Sequence, residues 1–181
     1  MLLFIAFLWG FAEATLFFIV PDIFFTYLVL FDLRLAFWSC LLALIGALMG
    51  GGLMYRWGRK NFEAAAMIVA SLPGVSNRLI QREKMNLEEK GVWAILLGPL
   101  KGVPYKIYAI SSFSSGIPFF QFLLISIPAR LARFVLSIVI VELAFHRFLP
   151  TLSLMAQMII LSGFWLVFYV GYFLKMRNFS R

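Results

Sequence analysis

The sequence predicts an all-α polytopic membrane protein with about three to four transmembrane helices. Of its 181 residues, 63% are hydrophobic and only 13% are charged, whereas a soluble domain is about 45–50% apolar and about 25% charged. The apolar residues form long blocks, and a spanning helix needs roughly 20 such residues. Basic and aromatic residues stand together at block ends, as is typical of the membrane–water interface. We expect residues 1–181 to form one membrane-embedded domain.

The first apolar block, residues 1–31, is interrupted by Glu13, Pro21 and Asp22. A straight helix, at about 100° per residue, would place the two carboxylates on opposite faces. A charge facing lipid costs at least about 2.5–3.5 kcal/mol on insertion scales. A break at or before Pro21 would turn both carboxylates toward one interior cavity, since proline ends helices. We therefore interpret residues 1–31 as a first re-entrant hairpin.

The second block, residues 35–55, is a clean span that ends in the aromatic and basic stretch "YRWGRK". Seven basic residues follow between positions 56 and 90, which predicts that this region is cytoplasmic. Within the predicted cytoplasmic loop, residues 61–90, the mixed charges of residues 77–90 favour a solvated amphipathic helix.

The third block, residues 91–116, is broken by Pro99 and Pro104 and carries Lys101 and Lys106. Prolines interrupt helices, and lysines facing lipid are costly. We interpret this block as a second re-entrant segment, opposed to the first. Two broken segments in different halves of a chain indicate a central transport site.

Topology supports the same interpretation. With positions 56–90 inside, the spans 117–145 and 151–174 carry the chain outward and back, provided that residues 91–116 enter and leave on one side. The basic C-terminal tail is then cytoplasmic as well. That tail contains Lys175, Arg177 and Arg181.

Two arginines lie well inside the span 117–145. Arg130 and Arg133 are three residues apart, so they share one helix face. Buried charges in membranes are normally paired, which makes these arginines natural partners for the two carboxylates of the first block. The predicted substrate- or ion-binding residues are Glu13, Asp22, Lys106, Arg130 and Arg133.

Simpler interpretations of these charges stay open. Lys101, Lys106 and the two arginines are long enough to reach the interface while burying their stems. The carboxylates and arginines could equally form a structural ion network that holds the hairpins together, because the cost of burial is the same in either role.

Catalytic and metal-binding patterns are missing from the sequence. No nucleophile–base pair is visible, and no Cys/His/Asp/Glu cluster has metal-ligand spacing. The single histidine, His146, ends a span. We therefore predict no enzyme activity, no cofactor and no metal. The net charge of +8 suits contact with anionic headgroups better than with nucleic acid.

Four ordered motifs resemble those of a known family. The first, "FAEATLFFIVPD", contains Glu13, Pro21 and Asp22; the second, "GALMGGGLMYRWGRK", contains Gly46, Gly50, Tyr55, Gly58 and Arg59; the third, "GVPYKIYAISSFSSG", contains Pro104, Tyr105, Lys106 and Gly116; the fourth, "ARLARF", contains Arg130 and Arg133. Together they resemble the DedA superfamily, also called SNARE-associated Golgi or VTT-domain proteins, and most closely its YqaA-like branch.

The resemblance implies a fold and a function. Family members have two re-entrant hairpins that face each other from opposite sides, clasped by spanning helices. They are implicated in moving lipids between leaflets, as flippases or scramblases. The implied substrates are membrane lipids, either an anionic phospholipid or a polyprenyl phosphate, with protons as a candidate coupling ion, in a bacterial-type inner (plasma) membrane. The sequence departs from the family pattern at Phe18, Val20 and Gly51, and has lysines where the wider family has arginines.

Two other functions stay open at this point. A proton-coupled transporter or exporter of small cations would use Glu13 and Asp22 as its coupling site. A membrane scaffold or assembly factor would bind its partners through residues 61–90. The motif "GALMG" at residues 46–50 is explained by close helix packing, and formation of a homo-oligomer is also open.

Overall fold

The computed structural model describes the backbone of residues 1–179, and the side chains of that range except Leu100 and residues 175–179. Within this range the protein is helical and contains no strand. The basic tail predicted to be cytoplasmic therefore lies outside the described side chains. The helices are α1 (Leu2–Ala14), α2 (Asp22–Val29), α3 (Leu33–Lys60), α4 (Phe62–Ala70), α5 (Asn77–Lys90), α6 (Val92–Leu97), α7 (Tyr105–Ser111), α8 (Phe119–Glu142) and α9 (Leu154–Phe179).

Three of these helices are long and apolar enough to cross a membrane: α3, α8 with its π-helical extension to Phe148, and α9 as far as Leu174. The prediction of an all-α membrane protein is confirmed at this level. The spans begin within three residues of the predicted positions. Helix α3 continues past the predicted end at 55 and ends at Lys60, with Asn61 as its C-cap.

The first apolar block is divided into two helices. Helix α1 ends at Ala14, and Pro21 directly precedes α2. The freed backbone between them finds partners, as membrane-embedded backbone must. The Thr15 hydroxyl donates to the carbonyls of Phe11 and Ala12 at 3.1 and 2.9 Å. The Trp9 indole donates to the Ile19 carbonyl at 3.0 Å, which ties the end of the break back to α1.

Helix α1 packs closely along α3 through small residues. Gly46 lies against the carbonyl of Phe7, and Gly10 lies against the backbone of Ala43. A methyl group at either glycine would collide with backbone atoms. Small residues let membrane helices approach in this way. The motif at residues 46–50 therefore packs α3 against α1 within one chain.

The buried apolar residues form two separate cores. The first core joins the C-terminal half of α3 to α4, α5, α6, α7 and the start of α8. The second core joins α2, the N-terminal halves of α1 and α3, and the C-terminal half of α8 to α9. Tyr105 belongs to the first core and Phe134 to the second.

Residues 61–90 form two helices that contribute to the first core. Helix α5 matches the amphipathic helix predicted at 77–90. Asn61 caps α4 by accepting from the Ala64 amide at 3.0 Å, and Ser76 caps α5 by accepting from the Leu79 amide at 3.2 Å. Such caps begin short helices at defined positions. The buried side chains of this region include Ala65, Ala66, Val69, Ile80 and Leu87.

We predict that Gly46→Ala lowers the free energy of unfolding by about 1–3 kcal/mol, because the added methyl group overpacks the α1–α3 contact. The matched control is Gly163→Ala on α9, where a methyl group meets no atom within 4 Å. This control should be neutral or stabilising by up to about 1 kcal/mol, from helix propensity alone. Thermal unfolding in detergent measures both; equal effects would refute the close contact.

Candidate functional site

All five predicted binding residues line one cavity of about 330 Å³. Phe18 and Val20 from the first break contribute to its wall, as do Pro99 and Pro104 from the second broken segment. The cavity therefore lies where the two interrupted segments meet. Other lining residues come from the α4–α5 connection, from the second segment and from α9: Leu72, Pro73, Val75, Gly102, Val103, Tyr105, Trp165, Phe168, Tyr169 and Tyr172.

The innermost ion pair joins Glu13 of α1 to Arg130 of α8. Nη2 of Arg130 donates to Oε2 of Glu13. The side chain of Glu13 is 7% exposed and that of Arg130 is 2% exposed. The guanidinium also lies over the Tyr105 ring, 4.4 Å from its centroid, and over the Phe134 ring at 5.2 Å. These rings belong to different cores, so Arg130 contacts both of them.

The second ion pair, Asp22 with Arg133, is more accessible. Oδ2 of Asp22 lies 3.0 Å from Nη2 of Arg133, whose side chain is 23% exposed. The Ser137 hydroxyl donates to Oδ1 of Asp22 at 2.6 Å. Nη2 of Arg133 and Oδ2 of Asp22 are close enough for charge attraction, but neither makes a hydrogen bond within the described part of the chain. This pair therefore has unused hydrogen-bonding capacity beside the cavity.

Lys106 is the third cation of the cavity. It is 3% exposed, and its ammonium donates to the backbone carbonyl of Phe17 in the first break at 2.6 Å. Among the described side chains, no carboxylate lies within 4 Å of the ammonium. Three cations thus face two carboxylates, so the cavity holds one positive charge in excess. A buried cation with a carbonyl as its partner is an attractive position for an anion.

The remaining motif residues support the cavity without lining it, apart from Pro104 and Tyr105. The Tyr105 hydroxyl donates to Ser126 at 2.9 Å, and the Tyr55 hydroxyl donates to the Ile117 carbonyl at 2.8 Å. Pro21 and Pro104 directly precede α2 and α7. Gly50 and Gly58 lie against the carbonyls of Phe11 and Ile110, Arg59 lies over the Phe113 ring at 5.0 Å, and Gly116 has a φ of +77°.

Lys101 and His146, which do not belong to the five predicted binding residues, are exposed. Lys101 is exposed, as a lysine reaching the interface would be. His146 is exposed and lies 2.8 Å from the carboxylate of Glu142, one turn earlier on the same helix. No group of three or more metal-ligating side chains occurs within the described range.

Sequence reasoning missed three contributors to the site. Four aromatic residues of α9 line the cavity, whereas composition predicts only a plain span there. Their spacing of i, i+3, i+4 and i+7 is the signal that defines one helix face. Ser137, one turn after Arg133, orients Asp22. Glu83 of α5 is buried and accepts from Tyr108 at 2.8 Å, which fixes α7 two residues after Lys106.

Comparison with family models, curated proteins and solved structures finds no match for this chain. The resemblance to the DedA superfamily accordingly rests on the four sequence motifs alone.

We predict that Glu13→Gln lowers the free energy of unfolding by about 3–5 kcal/mol, because it leaves the buried Arg130 charge without its partner. Adding Arg130→Met to this variant should restore part of the loss, since a buried pair replaced by apolar groups is often neutral. Asp22→Asn is the control and should cost less, because Arg133 can reach water. Thermal unfolding in detergent tests this, and strictly additive losses in the double variant would contradict it.

Proposed function

We propose that the protein is a lipid transporter that moves an anionic phospholipid or a polyprenyl phosphate between the leaflets of a membrane. The single observation that carries this proposal is the excess of positive charge in a cavity whose other walls are apolar. A phosphate headgroup needs cationic donors, and the chain attached to it needs apolar surroundings. A soluble anion would need the cationic donors but not the apolar surroundings.

The proposed arrangement places two opposed re-entrant segments around the cavity. Helices α1 and α2 form the first, α6 and α7 form the second, and α3, α8 and α9 clasp them. Irregular backbone at membrane depth must be buried in protein or line a water-filled cavity, and both interrupted segments contribute to this cavity wall. In this arrangement the protein belongs to the DedA superfamily, near its YqaA-like branch. Residues 56–90 and the C-terminus face the cytoplasm of a bacterial-type inner membrane.

The headgroup would move by exchange of ion pairs. In the unloaded state, Glu13 and Asp22 neutralise the two arginines, which keeps the buried charge close to balance. An entering phosphate would bind first at Lys106 and at the accessible Arg133, since neither is enclosed by a well-aligned carboxylate. Arg130 would stay with Glu13 and hold the two cores together. The lipid head would thus cross the hydrocarbon region without facing lipid, where an unpaired charge costs several kcal/mol.

The alternatives fit this cavity less well. A small cation would meet three fixed positive charges, and both carboxylates that could bind it already hold arginines. A scaffold acting through residues 61–90 would leave the buried charges unexplained, except as a structural clasp. Coupling to protons stays a separate proposal, in which Glu13 or Asp22 takes up a proton as its pair opens.

We predict that Lys106→Gln slows lipid movement at least tenfold, because a charge-assisted hydrogen bond to the phosphate is worth about 1.5–3 kcal/mol and each 1.4 kcal/mol is tenfold. The matched control is Lys101→Gln, which removes the same charge five residues earlier at an exposed position. The measurement is dithionite quenching of fluorescent anionic phospholipid and of fluorescent polyprenyl phosphate in proteoliposomes.

Two outcomes of that assay would count against the proposal. Folded wild type that moves neither lipid would remove lipid transport for both classes. Equal losses in the two lysine variants would show that general charge, and not the cavity, controls movement. Repeating the assay with an imposed pH gradient separates proton-coupled transport from passive scrambling.

A further inference from the structure

One face of α9 differs from the rest of that helix. Trp165, Phe168, Tyr169 and Tyr172 all line the cavity and lie within an arc of about 100°. The other faces carry residues that are more exposed, mainly aliphatic ones such as Leu166 at 68% and Val167 at 71%, whereas Phe168 is 46% exposed. We call these four aromatic residues the α9 face.

An interfacial aromatic belt can account for Tyr172, near the end of the span Leu154–Leu174, but not for the other three residues of the α9 face. Belts of Trp and Tyr lie at the two ends of a span. Trp165 lies in the middle of the span Leu154–Leu174, and Phe168 and Tyr169 follow within one turn of it. Their position at mid-span calls for a partner inside the protein.

Hydrogen bonds at the ring edges hold the α9 face in place. The Trp165 indole donates to the Thr26 hydroxyl of α2 at 3.0 Å. The Tyr169 hydroxyl accepts from the Val20 amide, in the first break, at 2.9 Å. The rings also pack against one another, with Trp165 and Phe168 at 5.4 Å and Phe168 and Tyr169 at 5.5 Å between centroids, and together they line the cavity. The Tyr169 hydroxyl proton has no acceptor among the described residues, so it can donate to an anionic oxygen as well.

The cavity is larger than its charged end requires. Its volume is about 330 Å³, and only five of the nineteen described residues that line it are charged. The side chains around the rest of it are apolar: Leu72, Val75 and Val103 contribute together with the α9 face. A ligand that fills the space therefore has an anionic end and an apolar end.

We propose that the α9 face is the chain subsite of the cavity, which holds the first carbons of the apolar chain of an amphiphilic phosphate whose head lies at Lys106 and Arg133. The inference rests on the proposed function, from which it takes the headgroup position. It adds a determinant of specificity, because the α9 face separates lipid phosphates from free phosphate, which the charged residues alone would bind.

The test measures binding of three water-soluble probes to the full chain in nanodiscs by titration calorimetry. The probes are inorganic phosphate, butyl phosphate and hexyl phosphate. Each fully buried methylene contributes about 0.8 kcal/mol, so we expect hexyl phosphate to bind roughly tenfold more tightly than butyl phosphate. This series on wild type needs no variant, and equal affinities for the three probes would overturn the chain subsite.

Variants then place the effect on α9. Phe168→Ala should remove most of the preference for hexyl phosphate while leaving the affinity for inorganic phosphate unchanged. The matched control is Leu166→Ala, a truncation two residues away on another face, which should leave both affinities unchanged. Equal loss of the hexyl preference in the two variants would overturn the assignment to the α9 face.

The experiment separates failure of the inference from failure of the proposed function. Folded wild type that binds none of the probes contradicts the headgroup site and, with it, both proposals. Binding without a chain-length preference, in a protein that still moves fluorescent lipid, contradicts the chain subsite alone.

Discussion

The buried pair of Glu13 and Arg130 is the interaction on which the rest of this structure depends. A buried carboxylate is costly to keep charged without a cation close by, and this pair joins residues 117 positions apart in the sequence. Arg130 also lies over one aromatic ring of each apolar core. The ion pair therefore links α1 to α8 beside both cores, while α3 contributes buried residues to each core.

The three cationic side chains that line the cavity next to this pair differ in exposure and in their partners. Arg130 is almost fully enclosed, Arg133 is about one-quarter exposed, and Lys106 is buried but bonded only to a backbone carbonyl. The three cations thus differ in how firmly they are neutralised. An ion pair that must hold the fold together is kept apart from positive charges that are available to a ligand, so the same small region can serve stability and binding with different residues.

The sequence predicts much of this site, because charged side chains in an apolar chain must be paired and few helix arrangements pair all of them. The break near Pro21, the shared face of Arg130 and Arg133, and their pairing with the two carboxylates all follow from helix geometry and the need to pair charges. The spans follow from length and composition. The opposed re-entrant geometry stays a prediction, as does the family.

Other features could not be predicted, for identifiable physical reasons. A composition-based view treats a span as uniformly apolar, so the α9 face was invisible until its spacing could be compared with a cavity wall. Glu83 lies in a helix rich in charge, where one buried carboxylate looks like its solvated neighbours; only its contact with Tyr108 distinguishes it. The polar and mixed-charge composition of residues 61–90 predicts a cytoplasmic loop with one solvated helix, yet its apolar side chains Ala65, Ala66, Val69, Ile80 and Leu87 belong to the first core.

The long separation between Glu13 and Arg130 has a consequence for biogenesis. Translation proceeds at about 5–20 residues per second, so roughly ten seconds pass between synthesis of the carboxylate and synthesis of its cation. During that time Glu13 must be protonated or remain in contact with water, because hydrocarbon does not accept the lone charge. We expect α1 and α2 to reach their final packing only after α8, which carries Arg130, has been synthesised, so this part of the fold forms late.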